Sequence, residues 1–322
     1  MTLSTSFSGA NRALVQPLRV NLLRDGILES SHRVHAVVCD ERGRVLMRAG
    51  DPQLLGFVRS ALKPFQATVY VSSGAAERYG AGDRGLAIAC ASHAGTTLHA
   101  REAFRLLWGA QLEVDQLQCP PPGADQSPLR HNCSGKHAAF LSTCRLLHWP
   151  LESYLQLDHP LQQEVLKRVG ELLALPAAEL VAARDDCGAP TLQLQLAQMA
   201  LLFAHLGAGT QPDLERLCRA MLAHPELVAG EGRFDTELMR TSHGQVVSKG
   251  GAEGIQCLSR VGEGLGVAIK VEDGHSRAKQ AVALHVLKQL EWLTPMSFDE
   301  LSQRFQVIAP HLKLEVAGDL RS

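Results

Sequence analysis

A chain of 322 residues, 45% hydrophobic and 20% charged, is long enough to bury the core of one large domain. Lysine and arginine total 32 against 33 aspartates and glutamates, so no overall field favours nucleic acid or an anionic membrane. No apolar run approaches the ~20 residues that span a bilayer, and Met1–Gln16 lacks the basic-then-apolar pattern of a signal peptide, so a cytoplasmic protein is expected.

In chain order, residues 18–39 mix apolar and polar positions around Leu18, Val20, Leu22, Val34, Val37 and Val38. A turn at Glu41–Arg44 and the run Val45–Arg48 follow, which together read as an antiparallel hairpin. Apolar spacing of three to four residues predicts helices over 61–76, 99–110, 137–148, 159–174 and 191–206. Leu86–Cys90 reads as a short apolar strand entering a polar turn. Pro120–Gly123 punctuates the middle but is too short for a flexible linker. Leu265–Val271 reads as a buried strand and Arg277–Leu293 as a closing helix. Strands first, helices in the middle and a strand-then-helix ending predict an α/β or α+β sheet protein with an inserted helical region, a single domain over 1–322.

The eight cysteines are scattered, without the short secreted frame that would make them a disulfide network, and reduced thiols are expected. Most read as core residues, but Cys133 and Cys187 lie among polar and reactive neighbours.

Four motifs carry chemistry. Ser60-Ala61-Leu62-Lys63-Pro64 places a hydroxyl and an amine three apart, hence on one helical face, and Pro64 marks the first turn. The positive end of that helix favours an alkoxide at Ser60, and a partly desolvated Lys63 can serve as its base. A helix cap beside a solvated lysine would give the same letters. Cys90-Ala91-Ser92-His93-Ala94-Gly95 turns from an element end into a loop; Ser92 can relay a proton, and His93 is catalytic by type, although a loop histidine is more often a surface one. His131-Asn132-Cys133-Ser134-Gly135-Lys136-His137 opens a helix with more reactive groups than folding needs, Ser134 sufficing as cap. Its Gly-Lys pair lacks the upstream glycine and following hydroxyl of a phosphate loop. Cys133 with Cys187 could hold a soft or borderline metal such as zinc, or be two ordinary buried thiols. Ser248-Lys249-Gly250-Gly251 precedes the strand at 265–271. S-x-x-K, a serine loop and a K-T-G strand form the set of penicillin-recognising serine enzymes, and Ser60 with Lys63, then Ser92, then Lys249 repeats that order.

The stretches SALKPFQA (60–67), CASH (90–93), HNCSGKHAAFL (131–141), DDCGAPT (185–191), KGGAEG (249–254) and GLGVAIKVEDG (264–274) resemble the asparaginase II family of thermolabile L-asparaginases. The resemblance implies a fold similar to serine β-lactamases and serine-dependent glutaminases, and hydrolysis of L-asparagine to L-aspartate and ammonia. It implies Ser-Lys pairs at Ser60 with Lys63 and at Ser92 with Lys249, and a zinc ion held by Cys133, Lys136 and Cys187 with a water near Asp185. Lysine as a ligand requires a neutral amine, which a neighbouring cation would enforce. Arg59, His93, Asn132 and Gly251 are the candidate substrate-binding residues. On this reading Ser60 attacks the side-chain amide with Lys63 as base, and Ser92 and Lys249 pass the proton that releases ammonia. The expected partners are a small-molecule substrate and a second copy in a homodimer, with no nucleic acid and no membrane. A glutaminase or other serine acyl hydrolase is the nearest rival, and an inactive zinc-binding regulatory protein the rival of another class.

Overall fold

Leu18, Val20 and Leu22 alternate with polar neighbours in β1 (Leu18–Arg24), as a strand with one buried face requires. Asp25 and Gly26, at φ of +48° and +82°, form the two-residue turn that Asp-Gly favours, and β2 (Ile27–Asp40) returns antiparallel. The structure, a computed structural model, describes residues 15–322. The early half of β2 pairs β1, its later half pairs β3 (Val45–Ala49), and β9 (Leu265–Val271) runs along its other edge. The remaining strands are β4 (Leu55–Phe57), β5 (Val181–Arg184), β6 (Pro190–Gln195), β7 (Val246–Gly250), β8 (Ile255–Arg260), β10 (Val307–Ala309) and β11 (Leu312–Ala317). The main sheet is antiparallel in the order β10-β11-β1-β2-β9-β8-β7, and β4-β6-β5 form a separate small sheet.

The helices are α1 (Lys63–Ser72), α2 (Ala75–Arg78), α3 (Gly82–Ala89), α4 (Thr97–Gly109), α5 (Ser134–Leu147), α6 (Pro160–Leu173), α7 (Leu196–Ala208), α8 (Pro212–Ala223), α9 (Pro225–Val228), α10 (Phe234–Thr241), α11 (Ser276–Gln289) and α12 (Pro295–Phe305). Alternation along β2 divides the core. Val37 and Cys39 face the helical region, while Val34, Ala36 and Val38 face α11 and α12. Helix α7 lies directly on the sheet, because a Cβ at Gly266 of β9 would strike the Ala200 carbonyl. The result is mixed α/β: an antiparallel sheet flanked by helices, with α1–α10 between β4 and β7. Among the described residues no helix is long and apolar enough to cross a membrane.

Three expectations need correction. Leu86–Cys90 is not a strand but the end of α3, packed against α4, α5 and α8; a five-residue apolar run has no period that separates buried strand from buried helix. The helix expected over 191–206 begins only at Leu196, since Leu192 and Leu194 alternate inward in β6 between β4 and β5. Ser134 is the first residue of α5 rather than its cap; its hydroxyl donates to the Leu129 carbonyl.

Candidate active site

The chain leaves β4 and turns through a 3₁₀ segment, Arg59–Leu62, into α1. Arg59 holds a left-handed φ of +53°, costly for a residue with a side chain. Three contacts hold it there. Its N–H donates to Thr191 Oγ1 at 3.0 Å, and its guanidinium binds Asp185 at 2.8 Å and also Asp186. The turn carries Ser60 into an open cavity of 530 Å³, also lined by Ser92, Asn132, Arg233, Asp235, Gly251 and Lys279. A cavity of 590 Å³ beside β5 is larger, but no hydroxyl, thiol or amine side chain lines it, so the former is the candidate site.

Lys63 is 1% exposed and its amine has turned from Ser60. It donates to the Ala91 carbonyl at 2.7 Å, to Ser92 Oγ at 2.8 Å and to the Asn132 carbonyl at 3.4 Å. Ser92 Oγ is also 2.7 Å from Lys249 Nζ, which bonds the Gly250 carbonyl at 2.8 Å. Two amines therefore meet on one hydroxyl. Burial, reinforced by the charge of Lys63, pushes Lys249 down to about 7. Near neutrality Lys249 is partly an amine with a lone pair, so Ser92 can accept from Lys63 and donate to Lys249.

The other anticipated residues divide. Asn132 is exposed on the cavity, and its main-chain oxygen helps hold Lys63. Gly251 lines the cavity, and a Cβ there would come within 2.8 Å of the Val58 carbonyl, so only glycine lets this turn approach the Ser60 turn. His93 does not reach the cavity. It is 1% exposed, stacked on His99, takes the Gly95 N–H on Nδ1 and faces Ser134 Oγ with Nε2. Burial drives its basicity well down, leaving a neutral ring that braces the loop after Ser92. Arg59, committed to two carboxylates, fixes the turn.

Cys133, Lys136 and Cys187 pack together and are all buried. Lys136 Nζ lies 3.1 Å from Cys187 Sγ, and Cys133 Sγ lies 3.0 Å from Asn132 Oδ1; the nearness of Cys133 and Cys187 holds the Cys133 thiol below the ordinary range and Cys187 above it. Burial opposes the Lys136 charge, but the two sulfurs outweigh it and raise its basicity. Asp185 turns to Arg59 instead. Among the described residues no three His, Cys, Asp or Glu side chains are disposed to hold a metal; the amine beside the two thiols is that of Lys136. Two thiols and an amine on one point fit a borderline-soft cation once the lysine proton is lost.

Sequence reading passed over Asp235 and Lys279. Asp235 accepts from Ser248 Oγ (2.7 Å), the Gly250 N–H (2.8 Å) and Gln256 Nε2 (2.8 Å), tying α10 to β7 and β8 beneath the cavity. Burial pushes its carboxyl up, but the Lys249 charge and these bonds pull it below the usual range. Lys279 of α11 donates to the carbonyls of Gly251 and Ile255, and burial lowers its basicity. Neither has a motif. Asp235 reads as an acid complementing a helix dipole, and Lys279 as a solvated helix position.

No curated protein matches the chain in sequence. Among solved structures, Mglu in its native form in 4.3 M NaCl is similar at 12% identity, with a TM-score of 0.39, over 82% of this chain and 62% of that one. The chain thus spans less than two-thirds of that protein's length. A beta-lactamase from Mycobacterium bovis gives 13% identity, a TM-score of 0.37 and coverage of 81% and 95%. D-alanine carboxypeptidase AmpC from Burkholderia cenocepacia gives 12%, 0.32, and 90% and 93%. The family model for L-asparaginase II, by contrast, runs through every element of the sheet and every residue that meets at Ser92. With residues 20–322 matched, this chain belongs to the L-asparaginase II family.

Proposed function

We propose that the protein hydrolyses the side-chain amide of L-asparagine through an acyl-serine at Ser60. The observation that carries this reading is the meeting of Lys63 and Lys249 on Ser92 Oγ, in the cavity that Ser60 lines. The chain Lys63–Ser92–Lys249 lacks one proton when Lys249 is neutral. Lys63 can give a proton to Ser92 Oγ as Ser92 gives its own to Lys249. Lys63 is then a free amine, three residues beyond Ser60 where the 3₁₀ segment passes into α1. Ser60 Oγ attacks the amide carbon, its proton passing to Lys63. When the carbon–nitrogen bond breaks, Ser92 donates to the leaving ammonia and is refilled from the lysines. Water then attacks the acyl carbon as its proton passes to Lys63, and the bond to Ser60 Oγ breaks as Lys63 returns that proton to the serine, releasing aspartate with Ser60 and the relay restored.

Cys133, Lys136 and Cys187 would hold zinc next to this machinery, and bound zinc would supply a fixed positive charge that orients the polar ends of the substrate. Protein purified without chelator should carry about one zinc per chain, the load of a single site with this donor set. Elemental analysis should show its loss in Cys133→Ser and in Cys187→Ser. Wild-type protein free of metal and fully active would remove zinc from the mechanism.

Ammonia release from L-asparagine and L-glutamine and ring opening of a β-lactam, compared at equal concentration, test the whole reading. Asparagine should be turned over fastest. Glutamine ahead by about tenfold, a difference of roughly 1.4 kcal/mol in barrier, would make the enzyme a glutaminase instead. Opening of the β-lactam with neither amide hydrolysed would leave only the serine acyl transfer standing.

A further inference from the structure

The cavity over Ser92 gathers more cations than anions. Lys63 and Lys249 meet at Ser92, Lys279 and Arg233 line the cavity, and Asp235 is its lining carboxylate. Most of these groups are already engaged. Lys279 is bonded to two carbonyls, and Asp235 accepts from Ser248, Gly250 and Gln256. Arg233 differs. Among the described residues its guanidinium makes no ion pair, and its hydrogen bond is a long one, 3.4 Å, to the Ser92 carbonyl. The nearby acids are taken: Glu231 by Arg240, and Glu237 by Arg304 and the Gly232 N–H.

The position is also one that electrostatics disfavours for a lone cation. Arg233 is the residue at the N-terminal boundary of α10, where the helix presents partial positive charge and an anion is the stabilising guest. The loop that carries it is firmly built. Gly230 (φ +122°) bonds Thr236 Oγ1 at 3.2 Å, Gly232 (φ +74°) bonds Glu237 Oε1 at 2.9 Å, and a Cβ on Gly230 would come within 2.8 Å of Ala94 Cβ. A fixed backbone thus holds an exposed, unpaired guanidinium beside the hydroxyl that the two lysines share.

We propose that Arg233 receives the carboxylate of the substrate and so restricts the enzyme to amides bearing a free carboxylate close to the scissile group. This rests on the amidohydrolase reading above and specifies its substrate class. A guanidinium offers two parallel N–H donors matched to a carboxylate. In an amino-acid amide the carboxylate carbon lies three or four bonds, each about 1.5 Å, from the amide carbon, so one end can rest on Arg233 while the other meets Ser60. Arg59, already bound to Asp185 and Asp186, cannot take this part without releasing them.

The test compares L-asparagine with L-asparaginol, in which an alcohol replaces the carboxylate, and runs the same pair for glutamine. The wild type should hydrolyse the alcohols at least about 100-fold less efficiently, because the guanidinium is then left without its anion. Arg233→Gln should raise KM for the free acid at least about tenfold with kcat changed by less than about threefold, the mark of a lost binding contact. Its kcat/KM for the alcohols should equal that of the wild type, and Arg233→Lys should recover part of the loss. A folded Arg233→Gln with unchanged KM overturns the proposal, and so does a wild type indifferent to the carboxylate while releasing ammonia. Absence of ammonia from every amide is a different result; it removes the amidohydrolase reading, and this assignment with it.

Discussion

Ser60→Ala is expected to reduce ammonia release from L-asparagine by at least about 10³-fold while leaving the melting temperature unchanged, because it removes the attacking atom and no bond of the folded state. Ser60 is half-buried, and Lys63 directs its protons to Ala91, Ser92 and Asn132 rather than to Ser60. Ser92→Ala should behave otherwise. It too should slow turnover, by about 10²-fold or more, as expected when a proton relay is cut. It also deprives two buried amines of a shared hydrogen-bond partner at 2.7 and 2.8 Å, a loss of about 1–3 kcal/mol that thermal unfolding should register. The pair of variants therefore separates nucleophile from relay. If the folded Ser60→Ala enzyme kept a tenth or more of the wild-type rate, the nucleophile would be Ser92.

Much of this site was legible because its parts lie in short motifs whose spacing has a physical meaning. Ser60 and Lys63 stand one helical turn apart with Pro64 marking the start, and the structure places that turn where the proline put it. The approach of Ser92 to Lys249, 157 residues further on, was legible only through the resemblance to the asparaginase II family. What could not be read is how those amines share their protons. The spacing pairs Lys63 with Ser60, whereas in the folded chain its amine rests on Ser92, since burial makes every ammonium proton find an acceptor. His93 looked catalytic by type, but its two nitrogens are fully used in bracing a loop. Asp235, Lys279 and Arg233 belong to no motif, and only the packing of α10 and α11 against the β7–β8 edge brings them to the cavity. In the fold, residues 18–39 read as one stretch with the hairpin turn at Glu41–Arg44, whereas an Asp25-Gly26 turn divides them into β1 and β2. The run Leu86–Cys90 was misread because burial on all sides erases the periodicity that distinguishes helix from strand.

Activity should rise with pH through a single ionisation near 7 and level off above it, because the proposed proton relay requires Lys249 as an amine. The sign follows from the cause. Burial and the charge of Lys63 destabilise the Lys249 ammonium, so its folded value of about 7 lies below the ordinary 10.5. Below about 7 folded and unfolded chains both hold the proton and the relay is full, with no vacancy for the proton of Ser60. Between about 7 and 10.5 the unfolded chain binds a proton that the folded chain has shed, so stability should climb over the window in which activity has reached its plateau. Urea unfolding across that range gives a check on the same group independent of turnover. Lys249→Met should abolish both the inflection near 7 and the stability gain, and lower the plateau rate by about 10²-fold. Lys63→Arg should be more severe, because arginine keeps its proton throughout this range and cannot accept one from Ser60. A Lys63→Arg enzyme that folds and retains a tenth of the rate, or a Lys249→Met enzyme whose profile still bends near 7, would show that the amines serve only as fixed charges and that the proton of Ser60 leaves by another route.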